Sequence, residues 1–431
     1  MTAKIDGSNS KVAPTSVKDR PVTRRAASGP RVYLDEPNVG VLEKRQVREC
    51  LASGFISTYG PFVARFEEKF SEFLGVKRAV SLQSGTAGLH MALLEMGLQP
   101  GQEVILPACT FAASVNPVLY LGAVPVLVDI NPLTWTMDPT AVEAAITPRT
   151  RAIMAVHLYG NPCNLGALRA LAAKYRLLLI EDATESLGSR YRGKFTGTWG
   201  EMGVFSFNGN KLITTGGGGM VVGRSQSRLK HMGELINQAK DARRPFWHRE
   251  VGYNYRMTNL EASLGLAQLS RIGKFLTIKN RIRDLYAEAF REVEEIRLQE
   301  PQAESAPVWW LSSLRFNTSK LGLPLEAIQA RLKEKGVPSR RIFRPLGDLP
   351  PYRSFLSTSV PRARRLFADG LSLPSSTRNR EIDIRQAARI IVDWVAEQLS
   401  KKYFQTATRR SPSAAPLKTA TRGAARGRKR P

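Results

Sequence analysis

The 431-residue chain is poor in cysteine and histidine and has no long apolar run. Its three cysteines, Cys50, Cys109 and Cys163, lie far apart and form no CxxC pair. That argues against a disulfide framework or a zinc site and fits a reducing cytoplasm. Apolar stretches such as "RLLLIED" fall far short of the roughly 20 residues that cross a bilayer, so no membrane span is expected. The N-terminal "MTAKIDGSNSKVAPTSVKDRPVTRR" lacks the apolar centre of a secretory signal. Acidic residues are also scarce, 37 against 64 Lys and Arg, for a formal net charge of +27. Such an excess raises the question of a nucleic-acid partner. Its placement weakens that reading. Residues 1–31 carry seven Lys/Arg against two Asp, and residues 401–431 carry ten against none, so the two ends supply +15 of the net +27. Both ends are rich in Ser, Pro, Ala and Thr and are expected to be disordered basic tails. Nucleic acid is not the expected partner.

Between the tails, the 42% hydrophobic and 23% charged composition is that of a soluble globular protein. From Val32 to about Lys230, short apolar runs alternate with amphipathic stretches such as "GTAGLHMALLEMGL" and "LGALRALAAKYR". Strands are expected at Ala79–Leu82, Glu103–Leu106, Val124–Val128, Ala152–Val156, Leu177–Ile180, Val204–Phe207 and Met220–Val222. This alternation predicts an α/β domain with a mostly parallel sheet covered by helices, and with its ligand site at the carboxyl ends of the strands. After Glu250, "NLEASLGLAQLSRIGKFLTIKNRIRDLYAEAFREVEE" reads as a long, little-interrupted linking helix. A smaller α+β domain follows. The expected organisation is a large domain over 32–262, then the linking helix and small domain over 263–400.

Four features fall at strand ends. In "SLQSGTAGLHMAL", Ser84-Gly85-Thr86 opens a helix: Gly85 permits a tight turn, and the Thr86 and Ala87 N–H groups would face an anion. Alone, this reads more readily as an ordinary Ser/Thr helix cap. In "PACTFAASVNP", Phe111 sits beyond a strand, where it would stack on a flat ring; the default for one Phe is core packing. In "LLLIEDATESLGS", Glu181 and Asp182 close an apolar strand, and a buried acid there needs a cationic or hydrogen-bonding partner. A protonated ring nitrogen or a structural Arg would serve. The two carboxylates point to opposite faces, so they cannot flank one bond. The fourth feature is "FSFNGNKLITTGGGGM". A phosphate loop needs its glycines before the lysine and Ser/Thr directly after it. Here the glycines follow Lys211 and the next residue is Leu212, so the phosphate-loop reading fails. A lysine closing an apolar segment is instead placed to be desolvated and nucleophilic, and Ser206 could offer its hydroxyl to a phosphate. Anion nest, aromatic, buried carboxylate and lysine, in that order, suit pyridoxal 5'-phosphate, a cofactor held by a lysine and kept electron-poor by an acid at its ring nitrogen.

The stretches "STYGPFVARFEEKFSEFLGVKRAVSLQSGTAGLHMAL", "GQEVILPACTFAAS", "GAVPVLVDINP", "VHLYGNP", "IEDATESLGS", "FSFNGNKLITTGGGGM" and "GYNYRMTNLEASLGLAQL" resemble, in order, the DegT/DnrJ/EryC1/StrS sugar aminotransferases. These are fold-type I pyridoxal-phosphate enzymes with a mostly parallel sheet sandwiched by helices. The resemblance runs from about Val32 to Lys401. It implies that Lys211 is the Schiff-base lysine, that Asp182 pairs with the cofactor's ring nitrogen and that Phe111 stacks on the ring. It further implies that Gly85, Thr86 and Ser206 contact the phosphate, and that Glu185, where many members have Gln, lies beside the ring oxygen. Asn254 matches an asparagine that reaches the phosphate of the neighbouring subunit, which implies a homodimer with shared sites. The implied reaction is a ping-pong transamination from L-glutamate to a keto-sugar nucleotide. The likeness is greatest to perosamine- and bacillosamine-type enzymes acting at sugar C4, with C3 amination as the alternative, and the product would feed polysaccharide or O-antigen synthesis. Two departures bear on substrate: Gly217 stands where members often have Glu, and Gly347 where they often have His. A rival reading is a non-catalytic regulatory or nucleic-acid-binding protein that works through its tails; the intact Lys211 and Asp182 argue against it.

Overall fold

A computed structural model describes residues 31–355 and 358–410. Of the expected tails at 1–31 and 401–431, residues 1–30 and 411–431 lie outside the described residues. Seven strands form the central sheet: β1 (Ala79–Leu82), β2 (Glu103–Pro107), β3 (Val124–Val128), β4 (Thr150–Val156), β5 (Leu178–Asp182), β6 (Met202–Ser206) and β7 (Gly219–Gly223), in the order β1-β7-β6-β5-β4-β2-β3. Strands β2 to β6 run parallel, and β7 is antiparallel to both neighbours. The strands are apolar along nearly their whole length because helices cover both faces. Helices α1 (Val41–Ala52) and α2 (Pro61–Leu74) precede the sheet, each parallel step needs a crossover, supplied among others by α3 (Gly85–Glu95), α4 (Ala112–Tyr120) and α5 (Leu165–Tyr175), and α6 (Gln226–Leu235) follows the last strand. The expected strands are all present, and the doubly wound α/β architecture places the carboxyl ends of β1, β2, β4, β5 and β6 along one edge.

The long helix expected after residue 258 is two helices, α7 (Asn259–Ser270) and α8 (Ile272–Phe290). The break has a tertiary cause. Arg271 leaves the helical conformation, and its guanidinium bonds Glu43 at 2.5 Å and the Asn38 carbonyl at 3.1 Å. Glu43 is fully buried, so leaving it without that partner would be costly. The expected domain limit at 262 falls inside α7.

Beyond α8, a four-stranded antiparallel sheet combines β8 (Ile296–Leu298), β9 (Ser313–Phe316), β10 (Arg340–Arg341) and β11 (Gly370–Ser372) in the order β8-β9-β11-β10. The last helix, α9 (Glu381–Arg410), continues ten residues past the expected start of the C-terminal tail at 401. Its Ile384, Ile391 and Trp394 share a core with Tyr286 and Phe290 of α8. The segment after β10 packs instead on the large domain: Leu346 joins the central core, and its N–H donates to the Ala108 carbonyl at 2.8 Å. That contact brings Arg340 and Phe343 over the strand ends.

Candidate active site

A cavity of ≈ 510 Å³ opens at the carboxyl edge of the sheet. Gly85, Thr86, Phe111, Asp182, Glu185, Ser206 and Lys211 all line it, although they come from four separate strand ends. Asn254 does not line it; that residue is exposed, with its backbone bridged to Asn237.

At one end, Ser84 caps α3 by accepting the Ala87 N–H at 3.1 Å. Ala87 is therefore occupied, and an anion here would meet Thr86 together with the Ser206 hydroxyl. Gly85 is not needed for a turn, because its φ is not positive. A Cβ at this position would lie 3.0 Å from the Ser206 Cβ and 3.1 Å from the Thr184 Cγ2. Its role is close approach. The glycine run divides in the same way. Gly216 and Gly218 have φ of +89° and +91°, and a Cβ at Gly219 would meet the Ser84 carbonyl carbon at 2.6 Å. A Cβ at Gly217 would meet only the Glu261 side chain at 3.2 Å and the Gln83 carbonyl oxygen at 3.5 Å. Three of the four glycines are therefore demanded by the backbone, and Gly217 is not.

At the far wall, Asp182 is 3% exposed. One carboxylate oxygen accepts the Ser114 hydroxyl at 2.7 Å; the other accepts the Thr184 hydroxyl at 2.7 Å and the Thr184 N–H at 3.2 Å. Neutral donors hold this acid, with none of them a structural Arg. Glu181 faces the opposite way, as strand alternation requires, and is saturated by the Gly197, Trp199 and Gly200 N–H groups and by His157. It is a structural anchor.

The Lys211 side chain is 14% exposed. Its Nζ lies 3.6 Å from Glu185 and 4.0 Å from the centre of the Trp310 ring. Glu185 also accepts the Tyr159 N–H at 2.8 Å. Burial raises the Glu185 pKa above the usual carboxylate range, and Lys211 and Tyr159 oppose the shift. Phe111 is 58% exposed and tilts against Phe343 at 5.7 Å, so it is a cavity-mouth aromatic and not a core one. Trp310, Arg340 and Phe343 also line the site. Sequence reasoning missed all three, because they come from the small domain and carry no local motif. Arg340 is held by Asp35, at 2.7 and 3.0 Å, which also accepts the Asn210 side chain. Gly347 is buried and lies off the cavity wall. Among the described residues, no cluster of three or more His, Cys, Asp or Glu could hold a metal ion.

The donor set fits a phosphorylated pyridine aldehyde. A lysine amine and a carboxylate share the cavity, an open aromatic stands at its mouth, and one end offers hydroxyls and a helix N-terminus where a side chain at residue 85 would intrude. Fold and cavity together define the class, a fold-type I, pyridoxal-phosphate-dependent aminotransferase. A model of the DegT/DnrJ/EryC1/StrS aminotransferase family matches residues 37–391, and the chain belongs to that family. It is 39% identical over 357 residues to GDP-perosamine synthase of Caulobacter vibrioides, covering 82% of this chain and 96% of that protein. The fold matches a Streptococcus pneumoniae protein described as a sugar aminotransferase and solved in its PLP form, with a TM-score of 0.80, 26% identity and coverage of 85% and 99%. It matches DesI in the presence of its TDP-sugar product equally well, with a TM-score of 0.80, 29% identity and coverage of 89% and 97%. The cofactor is pyridoxal 5'-phosphate. No helix among the described residues is long and apolar enough to cross a membrane.

Proposed function

We propose that the chain transfers the amino group of L-glutamate to a nucleotide-linked keto-sugar, a 4-keto-6-deoxyhexose, for polysaccharide biosynthesis in the cytoplasm. The observation that carries the choice of substrate is the 39% identity to a GDP-perosamine synthase along 96% of that protein's length. The likeness to DesI, solved with a TDP-sugar product, supports a nucleotide sugar as the class while leaving the nucleotide itself to experiment.

In this reading Lys211 would carry the cofactor and, once displaced by an amino substrate, use its Nζ to take the proton from the donor's amino-bearing carbon and, in the second half-reaction, to deliver one to the sugar carbon that receives the nitrogen. Pyridoxal phosphate supplies the electron sink that makes that carbon acidic. Asp182 would keep a proton on the ring nitrogen, and its Ser114 and Thr184 partners hold the carboxylate in place without neutralising it. Thr86, Ser206 and the glycine-opened end of α3 hold the phosphate, and Phe111 covers the ring. Glu185 lies within reach of the lysine amine. The working unit is a homodimer in which Asn254 reaches the partner's site. Its exposure, its place outside its own chain's cavity, and the exposed Phe55, Ile56 and Tyr59 support that reading.

The test is to incubate the protein with glutamate and a panel of 4-keto and 3-keto sugar nucleotides carrying GDP, UDP or dTDP, and to follow the amino sugar by mass spectrometry. Amination of a 4-keto sugar is expected. Turnover restricted to 3-keto sugars, or none with any member, would reject the substrate assignment.

A further inference from the structure

Lys279 is a buried cation with no place in the reaction described so far. It lies on α8, 4% exposed, and its Nζ donates to the carbonyls of Trp310 and Ser375, each at 2.6 Å. Trp310 is the residue whose ring covers the Lys211 amine at 4.0 Å. The same indole donates from Nε1 to the Asn210 carbonyl at 2.8 Å, one residue before Lys211. Lys279, Trp310 and the Lys211 loop thus form one chain of contacts from the linking helix to the reactive amine.

An ammonium over an indole face is attracted by the ring quadrupole, most strongly where water is excluded. The attraction depends on the ring staying in place, and Trp310 lies on an irregular stretch next to Trp309, whose φ is +52°. Charge-assisted bonds from a buried ammonium to the Trp310 carbonyl are about twice as strong as neutral ones, and they fix the backbone that carries the ring. We propose that Lys279 is a positioning residue: it clamps Trp310 so that the indole face and Glu185 hold the Lys211 amine between them whenever that lysine is free of the cofactor. The proposal rests on Lys211 being the cofactor-binding lysine.

Burial pushes the Lys279 amine down to about 7, with Asp35 acting against the shift. The charged groups near it are Asp35, Arg340 of β10 that pairs with Asp35, and Arg283 one turn along α8; the two carbonyl-bearing segments contribute uncharged Ser312 and Ser375. The clamp is therefore at full strength only well below about pH 7 and weaker above it.

The test compares wild type, Lys279→Met, Trp310→Leu and the double variant. On cofactor-free protein, the near-ultraviolet circular dichroism that Trp310→Leu removes defines the indole's signal. It is expected to decline as pH rises through about 7 in wild type and to be absent in Lys279→Met. In the half-reaction with the amino donor, Lys279→Met is expected to lower kcat about tenfold with KM within about twofold. The double variant is expected to be no worse than Trp310→Leu alone. Additive losses, an unchanged Trp310 signal in Lys279→Met, or a loss confined to KM would overturn the proposal. Should Lys279→Met fail to fold, Lys279→Gln, whose shorter side chain cannot span both carbonyls, takes its place, and an unchanged Trp310 signal in it rejects the clamp. That arm needs neither cofactor nor substrate, so its failure is distinct from failure of the substrate assignment or of Lys211's role.

Discussion

The Asp182→Asn variant separates folding from chemistry. Asp182 is buried, yet its partners are an N–H and two hydroxyls, with no cation among them. An asparagine can keep its carbonyl on the Thr184 pair and donate its amide to the Ser114 hydroxyl. That hydroxyl is 2.8 Å from the Thr110 hydroxyl, and either can be the donor, so the short chain can reverse direction. All bonds are then retained as neutral ones, and the cofactor-free protein is expected to lose less than about 1 kcal/mol, with Tm moving by less than about 3 °C. Where Asp182 pairs with the ring nitrogen, as proposed, the loss falls on the cofactor. A hydrogen bond to a charged group is worth about 1.5–3 kcal/mol, and at about 1.4 kcal/mol per decade its removal from the ring nitrogen slows turnover by about ten- to a hundredfold. The assay pairs thermal denaturation of the cofactor-free forms with steady-state rates of the loaded ones. Turnover within about twofold of wild type, or a stability loss above about 3 kcal/mol, would refute the reasoning.

Gly85→Ala places a methyl against Ser206 and Thr184, and the strain of about 1–3 kcal/mol is expected to weaken cofactor binding more than folding, measured by spectral titration of the cofactor-free protein. Gly219→Ala presses on the Ser84 backbone, which cannot yield cheaply, so soluble expression or Tm is expected to fall sharply; Gly217→Glu is expected to leave Tm within about 2 °C. His231 bridges Glu95 and Glu250 at 2.8 Å each, and its hydrogen bond to Glu250 leads in raising its pKa above 6.5, with burial opposing. A raised histidine stabilises the fold fully below its unfolded value and loses that contribution as pH rises through the folded one. The stability advantage of wild type over His231→Gln, measured by urea denaturation, is therefore expected to shrink from about pH 6 to about pH 8.5. An advantage that grows with pH would reverse the sign and reject the bridge as its source.

Local pattern made much of this molecule legible. The seven central strands are short apolar runs bounded by turn signals, and their alternation with helices implies the parallel sheet and its ligand edge. The order of Ser84-Gly85-Thr86, Phe111, Asp182, Ser206 and Lys211 along the chain follows from one requirement, that ligand residues lie at strand ends. Long-range contacts were not legible. The break at Arg271 depends on buried Glu43, more than 220 residues away. Arg340 and Phe343 reach the cavity through the docking of Leu346 on Ala108, and Trp310 through its indole bond to the Asn210 carbonyl. The glycine run looks uniform in sequence, yet only coordinates distinguish Gly217, with a flexible side chain nearest, from Gly219, with backbone in the way. The expected tight turn at Gly85 proved to be a packing requirement imposed by Ser206 and Thr184, residues distant in sequence.

The most direct test of the account is to trap the cofactor on its lysine. Purified protein supplied with pyridoxal phosphate is expected to be yellow; borohydride reduction should bleach it, and peptide mass spectrometry should find the added mass on Lys211, while Lys211→Ala should stay colourless and carry no label. Labelling of a different lysine, or a Lys211→Ala variant that keeps both colour and turnover, would contradict it.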